Sequence, residues 1–128
     1  MSQVQVGQAV PDIELAASNG ETVKLSQFRG KKVVLYFYPK DQTPGCTQEA
    51  CDFRDAHLNF GAADTVIIGV SPDSVKSHQK FIEKQNLPFL LLSDPDKELA
   101  QAFGVWQEKN MYGRKTMGIV RSTFLIDR

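Results

Sequence analysis

Cysteine and histidine are scarce in this chain: two of each in 128 residues. A secreted disulfide scaffold of this size would carry more cysteine, so no such framework is expected. Two cysteines and two histidines could supply four zinc ligands, but Cys46 and Cys51 in a Cys-x4-Cys spacing, with His57 and His78 further on, make a poor zinc pattern. An excess of charge of either sign is also missing. Fifteen basic residues balance fifteen acidic ones, which removes the electrostatic case for nucleic acid or an anionic membrane. No apolar run approaches the ~20 residues of a membrane span. Residues 1–6 lack the basic start and long apolar core of a signal peptide. The expected compartment is therefore a reducing cytoplasm. There is no internal repeat, low-complexity run or linker, and 128 residues make one domain with one core.

What the chain does have is one organising stretch, Tyr38-Pro39-Lys40-Asp41-Gln42-Thr43-Pro44-Gly45-Cys46-Thr47-Gln48-Glu49-Ala50-Cys51. It follows the apolar run Val33-Val34-Leu35-Tyr36-Phe37, which reads as a buried strand. It leads into an amphipathic segment that ends near Phe60. Thr43 suits a helix N-cap, and Pro44 suits the first helical position, where no N–H is lost. That register puts Cys46 in the first turn. Unpaired backbone N–H groups and the positive end of the helix dipole then face its sulfur. A thiol in such a place tends toward thiolate, the reactive form.

Cys51 lies five residues further on, ~140° round the axis and ~7.5 Å along it if the helix is intact. The two Cβ atoms are then roughly 10 Å apart, against the ~3.8 Å of a disulfide. A permanent bridge is excluded on an intact helix; a bridge requires the first turns to unwind. A nucleophilic cysteine that is oxidised first and captured by a second one afterwards fits this geometry.

Around this stretch the pattern predicts an alternation of strands and helices. Residues 1–12 read as extended. Ile13-Glu14-Leu15 and Thr22-Val23-Lys24-Leu25 read as an N-terminal β-hairpin turning at Asn19-Gly20. Residues 26–30 form a short helical turn closed by glycine. A strand over 32–38 and a helix over 44–60 follow, with Gly61 as the stop. Cys46, Ala50, Phe53, His57 and Phe60 fall within ~80° of one another on that helix and should face the core. Residues 65–70 read as a buried strand. A helix capped by Ser74 runs to about Asn86, and residues 89–92 form another strand. A helix opens at Ser93-Asp94-Pro95 and ends at Phe103. Residues 106–118 lack periodicity, and 122–126 close the chain as a strand that should neighbour 32–38. The fold class is α/β, a mixed sheet covered on both faces by helices.

The motif Tyr-Pro-Lys-Asp-Gln-Thr-Pro-Gly-Cys-Thr resembles the Pro-x-x-x-Thr-x-x-Cys signature of peroxiredoxins, with Pro39, Thr43 and Cys46 in its three defining places. Gly69-Val70-Ser71-Pro72-Asp73-Ser74, Leu92-Ser93-Asp94, Lys109-Asn110-Met111-Tyr112-Gly113 and Arg121-Ser122-Thr123-Phe124-Leu125-Ile126-Asp127 are similar to the bacterioferritin-comigratory, or Q-type, subgroup. The resemblance runs from about Gly7 to Asp127. It implies a thioredoxin-like fold and a thiol peroxidase in which Cys46 is peroxidatic. Cys51 falls where many of the subgroup carry a resolving cysteine. Arg121 resembles the family's active-site arginine. Thr43, Pro44, Gly45 and Arg121 would meet the hydroperoxide, while Pro39 and Pro44 help exclude water. No cofactor or metal is implied. Hydrogen peroxide and small alkyl hydroperoxides are the implied substrates, and thioredoxin or glutaredoxin the implied reductant. A monomer is expected, with a dimer as the alternative. Family members continue through another strand and a terminal helix beyond the last strand read here, so these elements are expected to be missing.

Each residue also has a plainer reading. A free cysteine is commonly a small buried hydrophobe, and Cys51 could simply pack. Glu49 need only favour a helix N-terminus. Thr43 is a cap in any case, Pro39 could merely end a strand, and Arg121 taken alone is an exposed charge at a strand end. His57 lies ~16 Å along the helix from Cys46, too far for a general base. His78, in a charged helix, is expected to be solvated. Trp106 belongs to the core or its rim. Residues 109–113 either border the site or form a surface loop. The rival function is a redox-sensing module whose Cys46–Cys51 disulfide signals to a partner. A disulfide carrier is disfavoured by the absence of Cys-x-x-Cys.

Overall fold

The computed structural model describes residues 13–28, 30–62, 65–111 and 113–126, with residues 57–62, 109–111 and 114–116 by backbone alone. The segment 1–12, read above as extended, lies outside them. The element order is β1 (Leu15–Ala17), β2 (Thr22–Val23), a 3-10 turn (Leu25–Phe28), β3 (Lys32–Phe37), α1 (Pro44–Ala62), β4 (Thr65–Ser71), α2 (Val75–Gln85), β5 (Leu90–Ser93), α3 (Glu98–Ala102), β6 (Trp106–Met111), β7 (Arg114–Ile119) and β8 (Ser122–Ile126).

Six strands form one mixed sheet in the order β2-β1-β5-β4-β3-β8, and β6 pairs with β7 as a separate ribbon. β3, β4 and β5 are parallel neighbours, while β8 runs antiparallel to β3. The alternation of side chains along β3 divides the core in two. Val33, Leu35 and Phe37 join the cluster that holds Leu15, Val23, Leu99 and Phe103. Val34, Tyr36 and Tyr38 join the cluster that holds Cys46, Ala50, Phe81 and Phe89. So α1 and α2 cover one face and α3 the other, with the N-terminal hairpin extending the sheet at its edge. This is the thioredoxin-like α/β arrangement expected from the motif.

Local chemistry explains most element ends. Gly20 takes φ +85° in the hairpin loop, and the Asn19 side chain accepts from the Glu21 N–H. Ser74 caps α2 by accepting from the Ser77 N–H, and Asn86 ends it in the left-handed region at φ 53°. Three expectations need correction. The helix α1 passes through Gly61 and ends at Ala62, since one glycine costs only about 1 kcal/mol relative to alanine. The last short helix opens at Glu98, not at Pro95, because the Asp94 carboxylate accepts from the Leu99 and Ala100 N–H groups and so places the helix start four residues later. Residues 106–118 are not irregular: β6 and β7 pair from Trp106↔Ile119 to Met111↔Arg114. A two-residue connection ending in Gly113 at φ +78° joins them. A ribbon with few apolar residues shows no hydrophobic period, which is why its sequence reads as loop.

Gly69 is required by packing. A Cβ there would stand 2.7 Å from Leu91 Cδ2 and 2.8 Å from Tyr36 Cζ. Both neighbours are fully buried. Gly69→Ala should therefore cost about 1–3 kcal/mol through overpacking. Urea unfolding checks this: the midpoint should fall while the slope is unchanged.

Candidate active site

The antiparallel pairing of β8 with β3 brings distant residues together. Ser122 pairs with Phe37, so Arg121 lies beside the C-terminal end of β3. From that end the chain runs through residues 39–43 into α1. The C-terminal ends of the parallel strands and the N-terminus of α1 thus share one corner, the usual place for a site in an open α/β sheet.

Cys46 is the third residue of α1, in its first turn as expected. The Thr43 carbonyl accepts from the Thr47 N–H at 2.8 Å, the first bond of the helix. The Thr43 hydroxyl donates to the Lys40 carbonyl at 3.0 Å. That bond uses the hydroxyl proton and leaves the oxygen lone pairs free to accept. Pro39, Pro44 and Gly45 are exposed around the corner, and Cys46 itself is only 1% exposed. Its sulfur receives a hydrogen bond from Arg121 Nη2 at 3.2 Å. The same guanidinium nitrogen passes 3.4 Å from where a Cβ on Gly45 would stand. A larger residue at 45 would crowd the arginine.

Arg121 is itself held. Its Nη1 donates to Glu49 Oε1 at 2.8 Å. Glu49 thus does more than favour a helix end: three residues on from Cys46, it lies on the same side of α1 and fixes the guanidinium. Burial pushes the Glu49 carboxyl above its ordinary value, against the pull of Arg121, with the Asp52 charge adding to the rise. Burial opposes the charge on Arg121, but its hydrogen bonds and charge contacts with Cys46 and Glu49 outweigh that and raise its pKa.

Cys51 is half-buried, and both it and the buried Cys46 are unbridged. Its thiol contacts Gln85 Oε1 at 3.5 Å, and Arg54 Nη1 donates to the Gln85 carbonyl at 2.8 Å. These contacts tie α1 to the end of α2. Unwinding the first turns of α1 has to release the cysteine from Gln85.

His78 corrects the reading of a solvated residue. It is fully buried, with Nδ1 2.7 Å from Asp41 Oδ2 and Nε2 2.9 Å from the Leu92 carbonyl. The charged residues of α2 occupy its outer face, while His78 and Phe81, three apart, share the inner one. That spacing was the available signal. The side chain of His57 lies outside the described residues, as does Tyr112 of the stretch 109–113. The rest of that stretch lies in the β6–β7 ribbon. Trp106 sits at the core rim, with Lys97 Nζ 5.2 Å from its ring centroid.

Beneath the cysteine lies an aromatic floor. Tyr36 stacks on Phe53 at 4.7 Å and on Tyr38 at 5.4 Å between centroids. Among the described residues the Tyr36 hydroxyl has no hydrogen-bond partner. Burial, with the charges of Glu49, Asp41 and Cys46 nearby, raises its pKa well above the ordinary value, so it stays neutral.

Comparison with known proteins places this geometry. Residues 6–128 match the model of the AhpC/TSA family. The chain is 62% identical over 125 residues to peroxiredoxin Bcp of Bacillus subtilis, covering 98% of this chain and 80% of that protein. Among solved structures it superposes on a cysteine-to-serine mutant of Xylella fastidiosa PrxQ with TM-score 0.91 at 41% identity, over 98% of this chain and 80% of that one. It also superposes on the Xanthomonas campestris bacterioferritin comigratory protein, a structure concerned with alkyl peroxide reduction. There the TM-score is 0.84 at 50% identity, over 88% of this chain and 72% of that one.

Proposed function

Because the chain belongs to the AhpC/TSA family, in its Bcp or peroxiredoxin Q branch, we propose that this thiol-dependent peroxidase works through Cys46 as attacking sulfur and Cys51 as resolving thiol. The observation that carries the assignment is the Arg121 guanidinium 3.2 Å from a sulfur in the first turn of a helix. The Cys46 thiolate attacks one peroxide oxygen, the O–O bond breaks, and water or an alcohol leaves. Negative charge spreads from sulfur over both oxygens as this happens. A fixed guanidinium and helix N–H groups stabilise it without having to reorganise. Thr43, its proton engaged by the Lys40 carbonyl, accepts from the peroxide O–H and orients it. Pro39, Pro44 and Gly45 shape the mouth.

Cys46 becomes a sulfenic acid. Cys51 attacks it, water leaves, and a disulfide forms once the first turns of α1 open. A dithiol donor such as thioredoxin or glutaredoxin then reduces the bond by exchange. Hydrogen peroxide and small alkyl hydroperoxides fit this chemistry. Among the described residues no helix is long and apolar enough to cross a membrane. An intramolecular route to the disulfide needs no second copy of the chain, which suits a monomer, and the compartment proposed for it is a reducing cytoplasm.

The test is a mass and thiol count before and after one equivalent of hydrogen peroxide. Loss of two thiols without a covalent dimer is the expected result. Loss of one thiol per chain with dimer formation would rule out the Cys46–Cys51 route. The redox-sensing alternative shares these residues but not the turnover, and oxidation slower than that of free cysteine would favour it.

A further inference from the structure

We propose that His78 is held as a buried imidazolium by the Asp41 carboxylate, and that this pair positions the 39–43 loop that delivers Thr43 and Cys46 to the peroxide. The positioning half of the proposal rests on the reading of Cys46 given above.

The charge assignment follows from hydrogen-bond roles. His78 Nε2 faces the Leu92 carbonyl, which can only accept. Its Nδ1 faces Asp41 Oδ2. The Asp41 carboxylate already receives the Tyr38 hydroxyl on Oδ1 at 2.5 Å and the Ser77 hydroxyl on Oδ2 at 2.8 Å. Two hydroxyl donors converging on one carboxyl favour its ionised form, which leaves the shared proton on the ring. Both ring nitrogens then donate. Burial and the Asp41 charge hold the Tyr38 phenol well above its ordinary pKa, so it remains a donor.

The positioning follows from where Asp41 lies. Its backbone N–H donates to Asp73 Oδ2 at 2.6 Å. Asp73 is fastened in turn by the Ser71 hydroxyl at 2.8 Å, and its carbonyl accepts from the Ser93 hydroxyl at 2.6 Å. The next residue, Gln42, takes φ 62°, a left-handed conformation that a non-glycine residue keeps only when its surroundings enforce it. The pair clamps one side of that residue, and the helix start at Pro44 holds the other. Among the described residues the hydrogen bond to the Cys46 sulfur comes from Arg121, while Asp41 and His78 bond to each other and to the elements around the loop, so they act as positioning residues.

Two measurements test this on the reduced full chain. The first is the nitrogen-15 spectrum of the histidine rings at neutral pH, with His78 assigned by its loss in His78→Gln. Protons on both His78 ring nitrogens are expected; a neutral single-proton ring overturns the charge assignment. The second is single-turnover kinetics with hydrogen peroxide. In folded His78→Gln, oxidation of Cys46 should slow by about tenfold or more, the effect of a small displacement of reacting groups, while capture by Cys51 changes less than about twofold. A general loosening of the fold would not produce that split. Should His78→Gln fail to fold, Ser77→Ala removes only one of the two hydroxyl donors to Asp41, and a slowing of about threefold is expected. A folded variant that oxidises at the parental rate overturns the positioning role. If the parent itself fails to consume peroxide at Cys46, the reading of the site falls and the kinetic half with it. The ring spectrum decides the charge half independently.

Discussion

Cys46→Ser is expected to reduce hydroperoxide consumption to the background of the reductant mixture, a loss of about 10⁶-fold or more if the enzyme lies at the low end of ordinary accelerations. The reason is electronic and not steric. Serine keeps the size and position of the side chain in the first turn of α1, so Arg121 and Thr43 stay in place. What is lost is a sulfur nucleophile that can accept an oxygen atom. Cys51→Ser should behave differently. The first equivalent of peroxide is still consumed at the parental rate, because Cys51 contacts Gln85 and not the Cys46 sulfur. The sulfenic acid then persists, and continued exposure drives it to the sulfinic acid. A coupled assay together with intact-protein mass after one and after many equivalents separates the two variants. Parental turnover by Cys46→Ser would end the assignment.

Arg121→Met should lower kcat/KM for peroxide by about 10²–10³-fold, the usual effect of removing one donor from a site of developing negative charge. Methionine matches the length of the arginine stem but brings no donor and no charge. The Arg121 side chain is 39% exposed, so at low pH, where Glu49 is protonated, a stability change within about 0.5 kcal/mol is expected. The variant also carries a pH signature. In the parent, burial raises the Glu49 carboxyl while Arg121 pulls it down. A carboxyl raised in the folded state binds more protons there than in the unfolded chain. Its contribution to stability is present below the unfolded value of 4.5 and is lost as pH rises through the raised folded value. Removing Arg121 deletes the downward pull, so that loss should extend to higher pH. Denaturant midpoints measured from below 4.5 upward check the sign. A steeper fall with pH in Arg121→Met than in the parent is expected, and a shallower one would contradict the role given to the arginine.

Legibility in the sequence followed locality. Thr43, Pro44 and the apolar run before them specify a strand-to-helix junction through backbone chemistry alone, and the structure places the junction there. The unbroken apolar run of β3 announces a strand buried on both faces, and two core clusters divide along it. The ribbon of β6 and β7 escaped notice because its pairing rests on backbone hydrogen bonds and one glycine at a turn, which leave no hydrophobic period. Glu49 showed its spacing from Cys46 but not its partner. His78 was misjudged because the charged neighbours on α2 point outward, and composition does not reveal which way a helix is turned.

The sequence by itself determined a cysteine in the first turn of a helix and an α/β chain to carry it, because both arise from contacts between near neighbours. Only the tertiary structure decided that Arg121 meets a sulfur 75 residues earlier, and that a histidine from α2 reaches under the loop before α1. The first depends on the antiparallel register of β8 against β3 and the second on the strand order β5-β4-β3, which long-range packing sets and no local pattern encodes.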